Sequence, residues 1–194
     1  MPSFNQLPLW YKVTFWVAII LVANGLMSAC YGDETTDRRV KIALSLFPKI
    51  VAVDEKFHLK LTRNNKVRLS FVYDRNKDQA SQLAKAVKAN NANIVNIEVK
   101  AVPLQVEKQL QSPEKPTAIF VAELLGEADF KDLIDYGINN GILVFSPYSG
   151  DVERGATVGL AITSRVFPYF NRQTLEASEI EINPILLDMS KYYE

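Results

Sequence analysis

Between residues 66 and 149, stretches with a two-residue hydrophobic period alternate with stretches of helical period. No other feature limits the fold of this chain as much. "KVRLSFVYD" (66–74) puts Val67, Leu69, Phe71 and Tyr73 on one side of an extended segment. "NKDQASQLAKAVKANN" (76–91) then lines Ala80, Leu83, Ala84 and Val87 along one helix face, with Asn90 and Asn91 to stop it. "NIVNIEVKAV" (93–102) is β-branched and predicts a second strand. "PLQVEKQLQS" (103–112) predicts a short helix beginning at Pro103, because proline's fixed φ suits a first helical turn. "PTAIFVAEL" (116–124) is almost wholly apolar, as expected of a strand buried on both faces. "EADFKDLIDYGINNG" (127–141) returns to helical spacing through Phe130, Leu133 and Ile134, with Gly141 as its stop. "ILVFSPYS" (142–149) is a fourth strand. Parallel neighbours need a crossover, and a helix between successive strands supplies one. The expected class is therefore α/β, a Rossmann-like three-layer sandwich with a mostly parallel sheet.

The flanks complete this picture. Val40, Ala43, Leu44, Phe47 and Val51 mark a helix ahead of the first strand, with Thr35 or Thr36 as N-cap and Pro48 kinking or ending its first part. "KFHLKLTRNNK" (56–66) reads as the connection to that strand. "ATVGLAITSRVFPYFN" (156–171) predicts a strand or hairpin forming an antiparallel C-terminal edge. "RQTLEASEIEIN" (172–183) gives a short helix and an extended piece, and "PILLDMSKYYE" (184–194) a closing helix with Pro184 at its first position. With 194 residues and 48% hydrophobic side chains, the chain can bury one ordinary core.

Residues 1–29 follow a different logic. Lys12 is the only charge before Asp33, and the apolar "VTFWVAIILVANGLMSA" (13–29) follows it, then Cys30. A positive charge, an apolar stretch and small residues form an export signal. The tail "LMSAC" is similar to a bacterial lipobox, in which the cysteine is lipidated, with Met27 where leucine is usual. The rival is an uncleaved anchor, diluted by Asn24, Gly25 and Ser28. The expected organisation is a signal peptide of lipoprotein type over 1–29, a polar spacer over 30–39 and a single domain over 40–194. Its place is the periplasm, held to the membrane through Cys30.

Charge and chemistry exclude several classes. Twenty-two Lys and Arg balance 22 Asp and Glu, which argues against nucleic acid as a partner. One cysteine and one histidine leave no thiolate zinc site, no redox CxxC pair and no Cys–His dyad in the folded part. No cofactor or metal is expected.

"FSPYSGDVERGATVGL" (145–160) lies where an α/β sheet places its ligand loops, after a strand's carboxyl end. Gly150, Gly155 and Gly159 do not have dinucleotide-loop spacing, and no Gly-Lys-Ser/Thr follows. Asp151 and Glu153 are two apart, so an extended backbone would turn them to opposite sides. Ser146 lacks the GxSxG elbow. The loop reads first as a turn, with glycines at positive φ and Arg154 pairing a nearby carboxylate. It reads second as a protein-contact surface offering Tyr148, Asp151, Glu153 and Arg154. His58 and the Tyr73–Asp74–Arg75 turn read as solvated surface. Phe167, Tyr169, Phe170, Tyr192 and Tyr193 read as core and edge packing.

The stretch "GILVFSPYSGDVERGATVGLAITSRVFPYFNRQTLEASEIEINPILLDMSK" resembles the end of the YfiR-like family of exported bacterial proteins. The points of likeness are the glycine-marked strand, the Phe170–Asn171 pair opening a helix, and the paired Leu186 and Leu187. "VKIALSLFPKIVAVDEKF" is placed like that family's first helix, and the likeness spans about residues 38–192. The resemblance implies a non-enzymatic periplasmic regulator that binds a membrane signalling protein, a diguanylate cyclase or a sensor kinase, and it admits a homodimer. The family's Trp-Pro after the first helix is replaced here by "AVDEKF". Its best-known member's disulfide cysteines are also absent, so redox control does not carry over. The alternative is a one-lobe relative of the solute-binding proteins that takes a small ligand; an envelope hydrolase ranks last.

Overall fold

The computed structural model describes residues 34–194. The signal peptide and Cys30 expected from the sequence lie outside those residues. Residues 39–194 form one compact unit.

Residues 34–52 form helix α1, which takes in residues 34–39 of the expected spacer. Thr35 and Thr36 are therefore inside the helix and do not cap it. Pro48 does not end it either. A mid-helix proline costs about 3 kcal/mol, but Phe47, Ile50 and Val51 around it are buried in the main core. Three side chains of that kind contribute more than the proline takes away.

The elements that follow are β1 (Val67–Tyr73), α2 (Lys77–Asn90), β2 (Asn93–Ile94), β3 (Ile97–Gln105) and α3 (Val106–Leu110). Next come β4 (Ala118–Val121), α4 (Glu127–Asn140), β5 (Leu143–Phe145), β6 (Val158–Ile162) and β7 (Val166–Asn171). The chain closes with α5 (Arg172–Ala177), α6 (Pro184–Asp188) and β8 (Lys191–Tyr193). One sheet joins the strands in the order β2-β3-β1-β4-β5-β6-β7-β8. The five strands from β3 to β6 run parallel, whereas β2 pairs antiparallel with β3 and β7 antiparallel with β6. The α/β class, the mostly parallel sheet and the antiparallel C-terminal edge are as the sequence predicts.

Alternate residues of the central strands feed two cores. Leu69, Phe71, Phe120 and Phe145 point to one face, where α1 and α2 pack through Ala43, Phe47, Ala80, Ala84 and Val87. Phe47 lies over three of the strand phenylalanines, with ring centroids 5.3 to 6.1 Å away. Val72, Ile119, Val121 and Val144 point to the other face, under Val106 of α3 and Phe130, Leu133 and Ile134 of α4. Burial on both faces explains why β4 reads as an unbroken apolar run.

Two further sequence expectations need correction. Pro103 lies inside β3, opposite Phe71, and the helix starts only at Val106. β2 reaches no further along β3 than Ile97 and Glu98, so the other edge is open at Pro103 and its missing N–H breaks no ladder. The final helix stops at Asp188, and Lys191–Tyr193 instead extends the sheet as β8, parallel to β7.

Candidate functional site

The strand order fixes where a site belongs. From β1 the chain goes to β3 on one side and then crosses to β4 on the other, so the crossovers diverge between β1 and β4. In open parallel sheets that divergence leaves a crevice at the carboxyl ends of the strands. Three segments form its rim: the turn after β1 (74–76), the loop after β4 (122–126) and the loop after β5 (146–157).

Glu123 occupies the crevice. Its Oε1 accepts from the backbone N–H groups of Asp74, Arg75 (2.5 Å) and Asn76 (3.2 Å), and its Oε2 accepts from Asn76 N–H at 3.1 Å. Asn76 is also the N-cap of α2, its side chain accepting from Gln79 N–H at 3.0 Å. A carboxylate fits there because these N–H groups belong to the turn from β1 to the N-cap, outside both strand and helix, and the nearby N-terminal end of the helix dipole favours negative charge. The Tyr73–Asp74–Arg75 turn is thus held by a side chain from another loop. Beside it the Arg75 side chain, 91% exposed, donates from Nε to Asp74 Oδ2 at 2.9 Å, and Leu124 is an exposed apolar residue.

The loop after β5 is tied mostly to itself. Asp151 is buried; its Oδ2 accepts from Ser146 Oγ at 2.6 Å and its Oδ1 from Arg154 Nη1 at 2.8 Å. Arg154 also donates from Nη2 to Glu127 Oε2 of α4 at 2.8 Å and lies 4.3 Å over the Phe130 ring. Burial pushes the Asp151 carboxyl above the usual carboxylate range, opposed by the Ser146 hydrogen bond and by Arg154. Gly150 and Gly155 adopt φ of 89° and 113°, which side chains disfavour. Gly159 serves another purpose: a Cβ there would stand 2.7 Å from Val152 Cγ2 and 2.8 Å from the Ser146 carbonyl oxygen. The close approach lets the loop fold back over β6.

Two residues outside the loop finish the tie. Arg39 of α1 donates to the Pro147 and Leu160 carbonyls at 2.9 and 3.0 Å. Asn171 donates to the Val152 carbonyl at 2.8 Å while its Oδ1 caps α5 through Thr174 N–H. Glu153 faces outward; burial first and Glu153 second push the Tyr169 hydroxyl up.

The four expected contact residues therefore separate. Asp151 is enclosed and offers no charge to a partner, which corrects its assignment as a surface group. Arg154 is committed to Asp151 and Glu127, and the half-buried Tyr148 donates its hydroxyl to the Ala122 carbonyl at 3.0 Å. Glu153 alone of the four stands exposed. Ser146 is fully buried, and the chain's one histidine, His58, lies in the turn before β1 at the opposite strand ends. No acid–base pair with a reachable nucleophile forms at this rim. Sequence reading missed Glu123 and Arg39. The signals were an acid directly after an apolar strand, in "VAEL", and a cation on the first helix.

No family model and no curated protein matches the sequence. Solved structures do match in fold. A conserved domain protein from Vibrio cholerae O1 biovar El Tor aligns over 70% of this chain and 57% of its own, at 16% identity and a TM-score of 0.49. The ligand-free, open structure of CD0873, a substrate binding protein with adhesive properties from Clostridium difficile, aligns over 66% of this chain and 54% of its own, at 15% identity and a TM-score of 0.50. The ABC domain in complex with L-Trp from Streptococcus pneumonia aligns over 74% and 61%, at 14% identity and a TM-score of 0.49. The chain spans little more than half the length of the first two, and at these identities the likeness is one of α/β fold.

Proposed function

We propose that this chain is an exported, non-enzymatic binding domain in which residues 39–194 supply one lobe of solute-binding-protein type. Its binding face is the carboxyl rim. The observation that carries the reading is the strand order, which opens a crevice between β1 and β4 and places Arg75 and Leu124 beside it, exposed. A cation next to an apolar side chain suits a ligand with an anionic and an apolar part. Export rests on the leader over residues 13–29, and a membrane tether rests on Cys30 in "LMSAC". Intact-mass analysis of envelope-purified protein would show an acylated N-terminal Cys30, or its absence.

The test is a thermal-shift screen against amino acids, short peptides and small carboxylates, followed by amide chemical-shift mapping of any hit. Shifts gathered at 73–76 and 122–126, lost in Arg75→Glu/Leu124→Asp, support the reading. Hits that map to other strand ends, or no hit at all, remove the rim as a small-ligand site.

A second reading assigns the same face to a protein, the membrane signalling protein that the YfiR-like resemblance implies. Glu123 favours it: the crevice is already filled by the chain's own carboxylate, so what remains is a surface carrying Arg75, Leu124 and Glu153. Affinity capture from detergent-solubilised envelopes, with the same double variant as control, separates the two. A membrane cyclase or sensor kinase retained only by wild type supports the protein partner.

A further inference from the structure

The opposite, amino-terminal edge of the sheet carries a cavity of about 680 Å³ between the segment leading into β1, the turn before β4 and the end of α4. Sites for small molecules span roughly 300–1,000 Å³. Its walls are fixed by buried polar contacts. Thr117 donates from Oγ1 to the Lys60 carbonyl at 2.9 Å and accepts there from the Arg68 N–H at 3.1 Å, stitching the two walls together. Thr62 Oγ1 accepts from Lys66 N–H at 3.1 Å and closes the adjoining turn. Leu61, Pro116 and Ile142 form an apolar floor, of which Pro116 and Ile142 are buried. Leu59, exposed, stands at the flank, where a second cavity of about 570 Å³ adjoins the first.

The charges around this cavity are unbalanced. Lys60 Nζ is held at 2.5 Å by the buried Asp54, and Glu114 is held by the Arg68 guanidinium, whose side chain is 8% exposed. The one acid of the lining and one of its cations are thus neutralised from beneath. Arg63 and Lys115 have neither an ion pair nor a side-chain hydrogen bond among the described residues, yet both line the cavity. Two free cations over an apolar floor describe a ligand.

We infer that this groove binds a small amphipathic organic anion. Its apolar body lies against Leu61, Pro116 and Ile142, and its carboxylate, sulfonate or phosphate head lies at Arg63 and Lys115. This site lies at the strand ends opposite the binding face proposed above and does not depend on that proposal. A guanidinium and an ammonium around one anionic head give charge-assisted hydrogen bonds, the stronger kind, and the rigid floor spares the ligand the cost of ordering its own pocket.

The test is a fluorescence titration of the full chain with anilinonaphthalene sulfonate, an amphipathic anion, beside its neutral relative phenylnaphthylamine. Saturable binding of one equivalent of the sulfonate is expected. In Arg63→Ala/Lys115→Ala it weakens about tenfold or more, as loss of charge-assisted contacts predicts. The neutral probe binds both proteins alike, and octanoate competes where acetate does not. Because both side chains are exposed and unpaired, the double variant keeps the wild-type melting temperature, which certifies its fold. The same titration is repeated in the Arg75→Glu/Leu124→Asp background, so that any sulfonate taken up at the far rim does not count toward the groove. Equal affinity of wild type and the groove variant, or binding that never saturates, overturns the assignment.

Discussion

The two ends of the sheet use charge in opposite ways. At the carboxyl rim nearly every ionic group is consumed by the fold. Asp151 is shared by Ser146 and Arg154, Arg154 by Asp151 and Glu127, Glu123 by three backbone N–H groups, and Arg39 by two carbonyls. At the amino edge Lys60 and Glu114 are consumed in the same way, but Arg63 and Lys115 are left over. A loop rich in glycine and charge looks functional in sequence, whereas two scattered cations do not. The structure reverses that ranking: a concentrated cluster can satisfy itself, and isolated charges in different segments are the ones that reach solvent unpaired.

The contrast breaks most visibly at Asp151. Removing one partner of a buried ion pair leaves the other uncompensated, at a cost of about 3–5 kcal/mol. Asp151→Ala should fall toward the lower end of that range, measured by urea denaturation, because Ser146 loses its acceptor and Arg154 keeps only the exposed Glu127. A loss below about 1 kcal/mol, the usual value for exposed pairs, would mean that the rim's charges are not structural. Glu127→Ala, which removes the exposed end of the same chain of contacts, should cost less than that.

The same carboxyl gives a pH signature. Its folded pKa is raised by burial, so between the ordinary carboxylate range and that raised value the folded protein holds a proton the unfolded chain has released. Stability contributed by Asp151 therefore grows as pH falls through this window and is lost as pH rises through the folded pKa. Measured against Asp151→Asn from about pH 7 to about pH 4, wild type should gain stability relative to the variant. A relative loss on acidification would show that Arg154, and not desolvation, governs the site.

How much of this could be read beforehand depended on distance along the chain. The parallel core was legible because Phe71, Phe120 and Phe145 sit in runs whose periodicity is local, as is the apolar face of α4. Pro103 was misread because its tolerance in β3 depends on how short β2 is, a fact of pairing and not of the residue. β8 was missed because three residues after a short helix carry no periodicity; they become a strand only by meeting β7. The depth of Asp151 depends on Gly159, whose missing Cβ brings residues 146 and 152 onto β6. Glu123 was invisible because its partners lie 47 to 49 residues away.

Glu123 is intermediate between the two ends, structural in its bonds but half in contact with solvent. Glu123→Ala should cost about 1–2 kcal/mol, near the lower end of the range for hydrogen bonds to charged groups, because water can partly replace them. Amide hydrogen exchange is the sharper readout: protection at Arg75 and Asn76 should drop while that in β1 stays. Unchanged protection would mean the α2 N-terminus holds its turn unaided, and that the crevice is closed by packing.

The smallest expected effect sharpens the comparison most. Arg63→Ala and Lys115→Ala remove charges with no partner, so each should leave stability within about 0.5 kcal/mol of wild type, as for surface positions away from any special contact. Their joint effect should be additive apart from the repulsion that the two cations share across the cavity, which either substitution alone relieves. A stabilisation would itself be informative. Two like charges facing one cavity repel, and relieving that repulsion gives a small gain that fades with added salt. Chemical denaturation at low and high ionic strength measures it directly. If either substitution instead costs more than about 1 kcal/mol, the residue holds up the fold as Asp151 does, and the two ends of the sheet do not differ in the way their charges suggest.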